Sequence, residues 1–165
     1  MCVSSDRKQY RIVVVSDSHN DTSRLERLLP IINSADYFVF CGDGAADVMW
    51  LRGQIAVPIA CVKGNNDFWL GEKLTDVATV AFGHARALIV HGHRHGVRQG
   101  LSLLMETAML KDYKLVFFGH THSSYDAVRD GIHIINPGAL CDGSYAIVTI
   151  NGGNITCKHE FIEKT

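Results

Sequence analysis

What this sequence lacks narrows its function before any motif is read. Its five cysteines, Cys2, Cys41, Cys61, Cys141 and Cys157, are an odd number and contain no CxxC pair, so neither a disulfide framework nor a zinc-thiolate site is expected. Cys41 and Cys61 fall in apolar, strand-like runs, where a free thiol behaves as a small hydrophobe. Basic residues are not in excess. The formal net charge is -1, which argues against a stable nucleic-acid complex held by broad electrostatic attraction. There is no apolar run long enough to cross a membrane, and the start of the chain is polar and charged through Arg11, unlike a secretory signal. A cytoplasmic location is the expectation. Repeats, linkers and low-complexity tracts are also missing. At 165 residues and 47% apolar composition, one domain spanning 1–165 with a sizeable core is expected, 1–9 forming a loose lead-in.

The apolar runs alternate with helical patterns through the first two-thirds of the chain. Tyr10–Ser16, Tyr37–Cys41 and Ile59–Val62 read as strands, as do the neighbouring runs Thr79–Phe82 and Ala87–Val90. Leu25, Leu28, Leu29 and Ile32 recur at helical spacing behind a Ser23/Glu26 capping box, and Pro30 is expected to bend or shorten that helix. A short helix is expected at Ala45–Leu51 and a loop over 68–76. Val97, Leu101, Leu104, Met105 and Ala108 trace another helix, with Met105 and Met109 as core filler. After residue 122 only strands follow. Tyr125–Arg129 and Ile132–Asn136 flank Asp130-Gly131, and Tyr145–Ile150 and Ile155–Phe161 flank Asn151-Gly152-Gly153-Asn154, two hairpin signals. The pattern predicts an α/β fold of two packed sheets flanked by helices, the first parallel or mixed and the second antiparallel.

The centre of the chain's chemistry is Leu115-Val116-Phe117-Phe118-Gly119-His120-Thr121-His122. Four apolar residues make a buried strand, and in an extended segment His120 and His122, two apart, would converge on one point. Every front strand ends in a similar donor: Asp17 and His19, Asp43, Asn65, His91, then His120 and His122. Carboxyl ends of strands are where α/β sheets bind ligands. Oxygen and imidazole donors without thiolates suit Mn²⁺, Fe²⁺, Zn²⁺ or Ni²⁺. These donors outnumber the four that a closed structural zinc site takes, so two ions sharing one carboxylate is the economical arrangement.

Asp17-x-His19, Gly42-Asp43, Gly64-Asn65-x-Asp67, His91 and Gly119-His120-x-His122 resemble, in order, the blocks of the calcineurin-like metallophosphoesterases. The short length and the hairpin tail resemble the small YfcE-like phosphodiesterase branch, Asn136-Pro137-Gly138 included. The resemblance implies a four-layer sandwich of two packed mixed sheets flanked by helices, and a two-metal phosphodiesterase, Mn²⁺ being the first choice of ion. It further implies one metal held by Asp17, His19 and His122, a second by Asn65, His91 and His120, and Asp43 bridging both. A bridging hydroxide would attack phosphorus. Two departures stand out. Many relatives carry a histidine at the position of Asn66, and an amide cannot serve as a general acid near neutral pH; either His93 or a metal-bound water protonates the leaving group, or substrates with good leaving groups are favoured. The purple acid phosphatase branch has a tyrosine where this chain has Ala46, which argues against an iron-tyrosinate centre.

Other residues read as follows. Asp67 orients its neighbours, and His93 either contacts substrate phosphate or orients His91. Arg94, His95 and Arg98 form a solvated helix start, and His84, His133 and His159, outside every block, are surface or strand histidines. Phe68 and Trp69 either pack the core or rim a pocket. The expected partner is a small phosphoester, with exposed strand edges favouring a homodimer. A phosphomonoesterase, or a binding scaffold on the same fold, are the competing classes; the retained histidines count against the scaffold.

Overall fold

Along the first strand, β1 (Gln9–Val15), side chains point alternately to opposite faces. Ile12 and Val14 join one apolar cluster while Val13 and Val15 join another. Burial on both faces explains why the run is continuously apolar rather than alternating. The computed structural model describes residues 9–163. Of the loose lead-in expected over 1–9, residues 1–8 lie outside that range, and Gln9 already pairs with Asn151.

Two five-stranded sheets face each other. The first runs β10-β9-β1-β2-β3, with β2 (Tyr37–Phe40) and β3 (Ile59–Cys61) parallel to β1, β9 (Ser144–Asn151) antiparallel to β1, and β10 (Asn154–Phe161) antiparallel to β9. The second runs β4-β5-β6-β8-β7: β4 (Val77–Phe82), β5 (Ala85–Val90), β6 (Leu115–Phe117), β7 (Tyr125–Arg129) and β8 (Ile132–Asn136). Both sheets are therefore mixed, as the resemblance implies, whereas the division into a front sheet and an antiparallel tail sheet that the run pattern suggests is not found. Each tail hairpin joins a different sheet, because its own turn fixes only its internal pairing while long-range contacts choose the edge it extends.

Between the sheets lies a core of Tyr10, Ile12, Val39, Phe82, Ile89, Phe117, Ile135 and Val148. Helices α1 (Thr22–Asn33) and α2 (Ala45–Leu51) cover the outer face of the first sheet through Leu25, Leu28, Ile32, Val48 and Leu51. Helix α3 (Ser102–Leu110) covers the second sheet through Leu104, Met105 and Ala108. The result is the expected four-layer sandwich.

Local readings needed correction in several places. The first helix is capped by Asp21, whose carboxylate accepts from the Arg24 N–H and side chain, so no Ser23/Glu26 box forms. It runs through Pro30 to Asn33 rather than stopping; proline removes only one backbone donor there. Val97 and Leu101 precede α3 instead of opening it, and Met109 is exposed because the register of α3 turns it outward. Residues 65–73 form 3₁₀ turns where a loop over 68–76 was expected. No helix among the described residues is long and apolar enough to cross a membrane.

Candidate metal centre

All seven predicted donors come together at one end of the sandwich, but by a local geometry the sequence does not suggest. β6 stops at Phe117, and His120 and His122 are not extended: their φ values are 68° and 59°. They therefore do not meet at one point. The His120 ring faces His91 (Nδ1 to Nε2, 3.2 Å), whereas His122 faces His19 (Nε2 to Nε2, 3.3 Å). Asp17, His19 and Asp43 share the left-handed backbone region, with φ of 54°, 47° and 60°. Five of the seven donors thus occupy a region that costs a non-glycine residue on the order of 1 kcal/mol or more, and such strain gathers where the surrounding structure overrules it for function.

The two halves of the site are chemically distinct. In one, ligand atoms of Asp17, His19 and Asp43 lie within 4.8 Å of one another, with His122 Nε2 3.2 Å from Asp17 Oδ1. In the other, Asp43, His91 and His120 form an equally close set, and Asn65 Oδ1 stands 3.0 Å from His91 Nε2. Asp43 belongs to both: its Oδ2 is 3.3 Å from His91 Nε2 and 3.9 Å from His19 Nε2.

Neighbouring groups hold these atoms in place. Asp17 is fully buried, and its Oδ2 accepts from the Ser16 hydroxyl (2.5 Å) and the His120 N–H (3.1 Å). Among the described residues its Oδ1 has no hydrogen-bond partner. A buried carboxylate oxygen left so is costly unless something else satisfies it. A cation among His19, His122 and Asp43 does that, so the residues present fit a metal ion. His91 Nδ1 lies 2.7 Å from the Cys41 carbonyl. Donating there fixes the tautomer and leaves Nε2 free to ligate, an orientation typical of metal-binding histidines. The Cys41 carbonyl, not His93, thus orients His91.

Asp67 is buried and grips four backbone N–H groups. Oδ2 accepts from Asp43 and Gly64 (2.8 Å each), and Oδ1 from Gly44 (3.0 Å) and Ala45 (3.1 Å). It is an organiser of the β2 and β3 loops. Asn66 donates to Asp43 twice, from its backbone to Oδ1 (2.9 Å) and from its side chain to Oδ2 (2.8 Å). Two glycines are dictated by close approach: a Cβ on Gly64 would lie 2.0 Å from Asp43 Oδ1, and one on Gly119 1.9 Å from Ser16 Oγ. Asn136 ties the His120 loop down, donating to the Gly119 carbonyl (3.1 Å) and to Thr121 Oγ1 (3.0 Å).

Electrostatics separate the rings. Burial pushes the Asp43 carboxyl up, but the hydrogen bond and charge of His91 and the two Asn66 donors outweigh it, leaving Asp43 well below the usual carboxylate range. His91 is raised: desolvation opposes its charged form, but Asp43 and Asp17 favour it more. His120 is lowered to about 4, first by desolvation and then by His91. His93 is lowered for the same two reasons; its buried Nδ1 has no hydrogen-bond partner among the described residues, and its ring lies 5.4 Å from that of His91.

Arg94 and Arg98 are exposed, in line with a solvated start; Arg94 pairs with Asp76 (3.2 Å) and Arg98 donates to the His120 carbonyl (3.3 Å). His133 is a strand histidine, on β8, buried beside Asp126 (2.5 Å). Phe68 and Trp69 do not pack the core: they are 78% and 61% exposed on the turn after Asn65. The donor set read from the sequence contains no thiolate, yet Cys141 lies within 4.8 Å of His19 and His122 ligand atoms. Its only sequence signal is a position three residues after Asn136-Pro137-Gly138. A cavity of about 470 Å³ at the opposite end, lined by His84, Lys114 and His133, contains none of the candidate donors.

This fold and site define a metallophosphoesterase. Residues 10–153 match the calcineurin-like phosphoesterase superfamily domain, and the chain belongs to that family. Metal-dependent hydrolysis of phosphoesters is accordingly its chemistry. Among individual proteins, it is 29% identical to the probable metallophosphoesterase YsnB of Bacillus subtilis over 89% of this chain and 88% of that one. A predicted phosphoesterase from Streptococcus pneumoniae superposes with a TM-score of 0.81 at 23% identity, covering 94% of this chain and 91% of that chain. An archaeal phosphodiesterase does so with a TM-score of 0.73 at 21% identity, over 92% and 99%.

Proposed function

We propose that this chain is a two-metal phosphodiesterase acting on a small phosphoester. Asp17, His19 and His122 would hold one ion and Asn65, His91 and His120 the other, Asp43 being shared. The observation that carries this reading is the single Asp43 carboxylate facing both histidine sets. When bound, paired divalent ions acidify a coordinated water and offset charge on phosphoryl oxygens. Mn²⁺ is the first candidate for an oxygen- and imidazole-rich site.

The chain's own residues do the rest. Asn66 and His91 keep Asp43 ionised, and Asp67 fixes the loop that presents it. His120 and His93, both lowered, stay neutral near pH 7, so they can ligate or donate a hydrogen bond. Asn66 is engaged on Asp43 and, as an amide, cannot protonate a leaving group, so esters of acidic alcohols or phenols are the fastest substrates. A monoester carries two charges near neutral pH and calls for extra cationic contacts. Arg94 and Arg98, the nearby candidates, are committed to Asp76 and to the His120 carbonyl, which favours the diester.

The test is hydrolysis of bis(p-nitrophenyl) phosphate against p-nitrophenyl phosphate, after chelation and Mn²⁺ add-back, with metal content measured. Metal-restored turnover and a higher kcat/KM for the diester are expected. Protein that binds no metal, or turnover indifferent to chelation, would refute the two-metal reading, and a monoester preference the diester one.

A further inference from the structure

We propose that Cys141 is a thiolate ligand to the metal held by Asp17, His19 and His122, biasing that half of the centre toward thiophilic ions such as Zn²⁺ or Co²⁺ over Mn²⁺. This rests on the two-metal reading and adds a donor of a different class to it. Cys141 Sγ and a ring nitrogen of each of His19 and His122 lie within 4.8 Å of one another. Bonds of about 2.0–2.3 Å to a common ion ask only a small closure of these side chains.

A second observation points to the same spot. The Asp17 Oδ1 atom, fully buried and without a hydrogen-bond partner among the described residues, is 3.2 Å from His122 Nε2 and 3.6 Å from His19 Nε2. The Cys141 backbone is pinned beside it. Its N–H donates to the Asp17 carbonyl (3.1 Å), its carbonyl accepts from Arg24 Nη1 (2.7 Å), and the Leu140 N–H donates to the Ser16 carbonyl (2.9 Å). Cys141 is half-buried and lines, with His19, an open cavity of about 420 Å³ through which an ion can arrive. Cys41 and Cys61 are instead buried among core side chains, and Cys157 lies on β10.

Binding exchanges the S–H bond for an S–metal bond and releases one proton to solvent; nothing is oxidised or reduced. Thiolate is the softest donor available here, so it shifts selectivity toward ions that favour sulfur.

The experiment strips the full-length protein with chelator and reloads it with Co²⁺. Wild type is expected to show a thiolate-to-Co²⁺ charge-transfer band in the near ultraviolet, lost in Cys141→Ser and Cys141→Ala. In competition, the Zn²⁺-over-Mn²⁺ preference should fall about tenfold or more in Cys141→Ser, the scale on which even outer partners of a ligand alter affinity. Bound Co²⁺ without the band, or a band that persists in both variants, overturns the thiolate but leaves the two-metal reading standing. Protein that takes up no Co²⁺ overturns both. Should neither variant fold, iodoacetamide labelling of wild-type Cys141 decides by mass spectrometry: slowing by Zn²⁺ supports the ligand, and an unchanged rate refutes it.

Discussion

Asp67→Asn isolates what the buried clamp behind the metal centre does. The native carboxylate accepts four backbone N–H groups, from Asp43, Gly44, Ala45 and Gly64. The amide keeps one oxygen, which can serve two of them, and turns an NH₂ toward the other two. Each hydrogen bond to an ionised acceptor contributes roughly 1.5–3 kcal/mol, so losing two costs roughly 3–6 kcal/mol. That is a large part of the ~5–15 kcal/mol by which domains are stable. Urea unfolding of the metal-free protein, followed by Trp50 and Trp69 fluorescence, measures it. A large fall in midpoint without change in slope is expected. Metal-loaded variant, where folded, should keep a substantial fraction of wild-type kcat. The reasoning fails if Asp67→Asn unfolds within about 1 kcal/mol of wild type, or if stability holds while kcat collapses, which would make Asp67 part of the chemistry.

Removing the shared carboxylate by Asp43→Ala should lower kcat/KM for the diester at least ~10²-fold, the scale of losing one electrostatic stabiliser of a transition state; near-normal kcat in the variant would refute the bridging role. Bound metal at 100 times its Kd should stabilise the fold by about 2.7 kcal/mol per site, raising Tm by several degrees. A Tm indifferent to chelation would count against the centre. His120, His93 and His95 are all lowered, so the unfolded chain takes up their protons first as pH falls below the ordinary 6.5. Their contribution is present above that pH and is lost on descending toward about 4, where His120 itself titrates. The raised His91 opposes this. Urea melts of metal-free protein at pH 7.5 and 5 should show a net loss at the lower pH, smaller in His120→Asn; an equal or greater stability at pH 5 would contradict it.

Much of this was legible because strands and ligands are coupled in sequence. A buried parallel strand reads as an unbroken apolar run, and in an α/β sheet the residue after it falls at the ligand-binding end. Asp17, Asp43, Asn65, His91 and His120 could therefore be picked out one strand at a time, and the two hairpins from Asp130-Gly131 and Asn151-Gly152-Gly153-Asn154. Spacing and donor chemistry are local properties, and the chain carries them openly.

Tertiary structure decided the remainder, because it depends on contacts between residues far apart. Nothing local says that β9 pairs with β1 while β7–β8 extends the other sheet. Nor does the Gly119-His120-Thr121-His122 spacing reveal left-handed backbone that sends its two imidazoles to opposite halves of the site. Asn136 and the Asp17 carboxylate impose that conformation from over ten and about a hundred residues away. The approach of Cys141 to His19 and His122 likewise exists only once the loop after β8 is bonded to the end of β1. The sequence determined which atoms were on offer, and the packing of the two sheets determined which of them face one another.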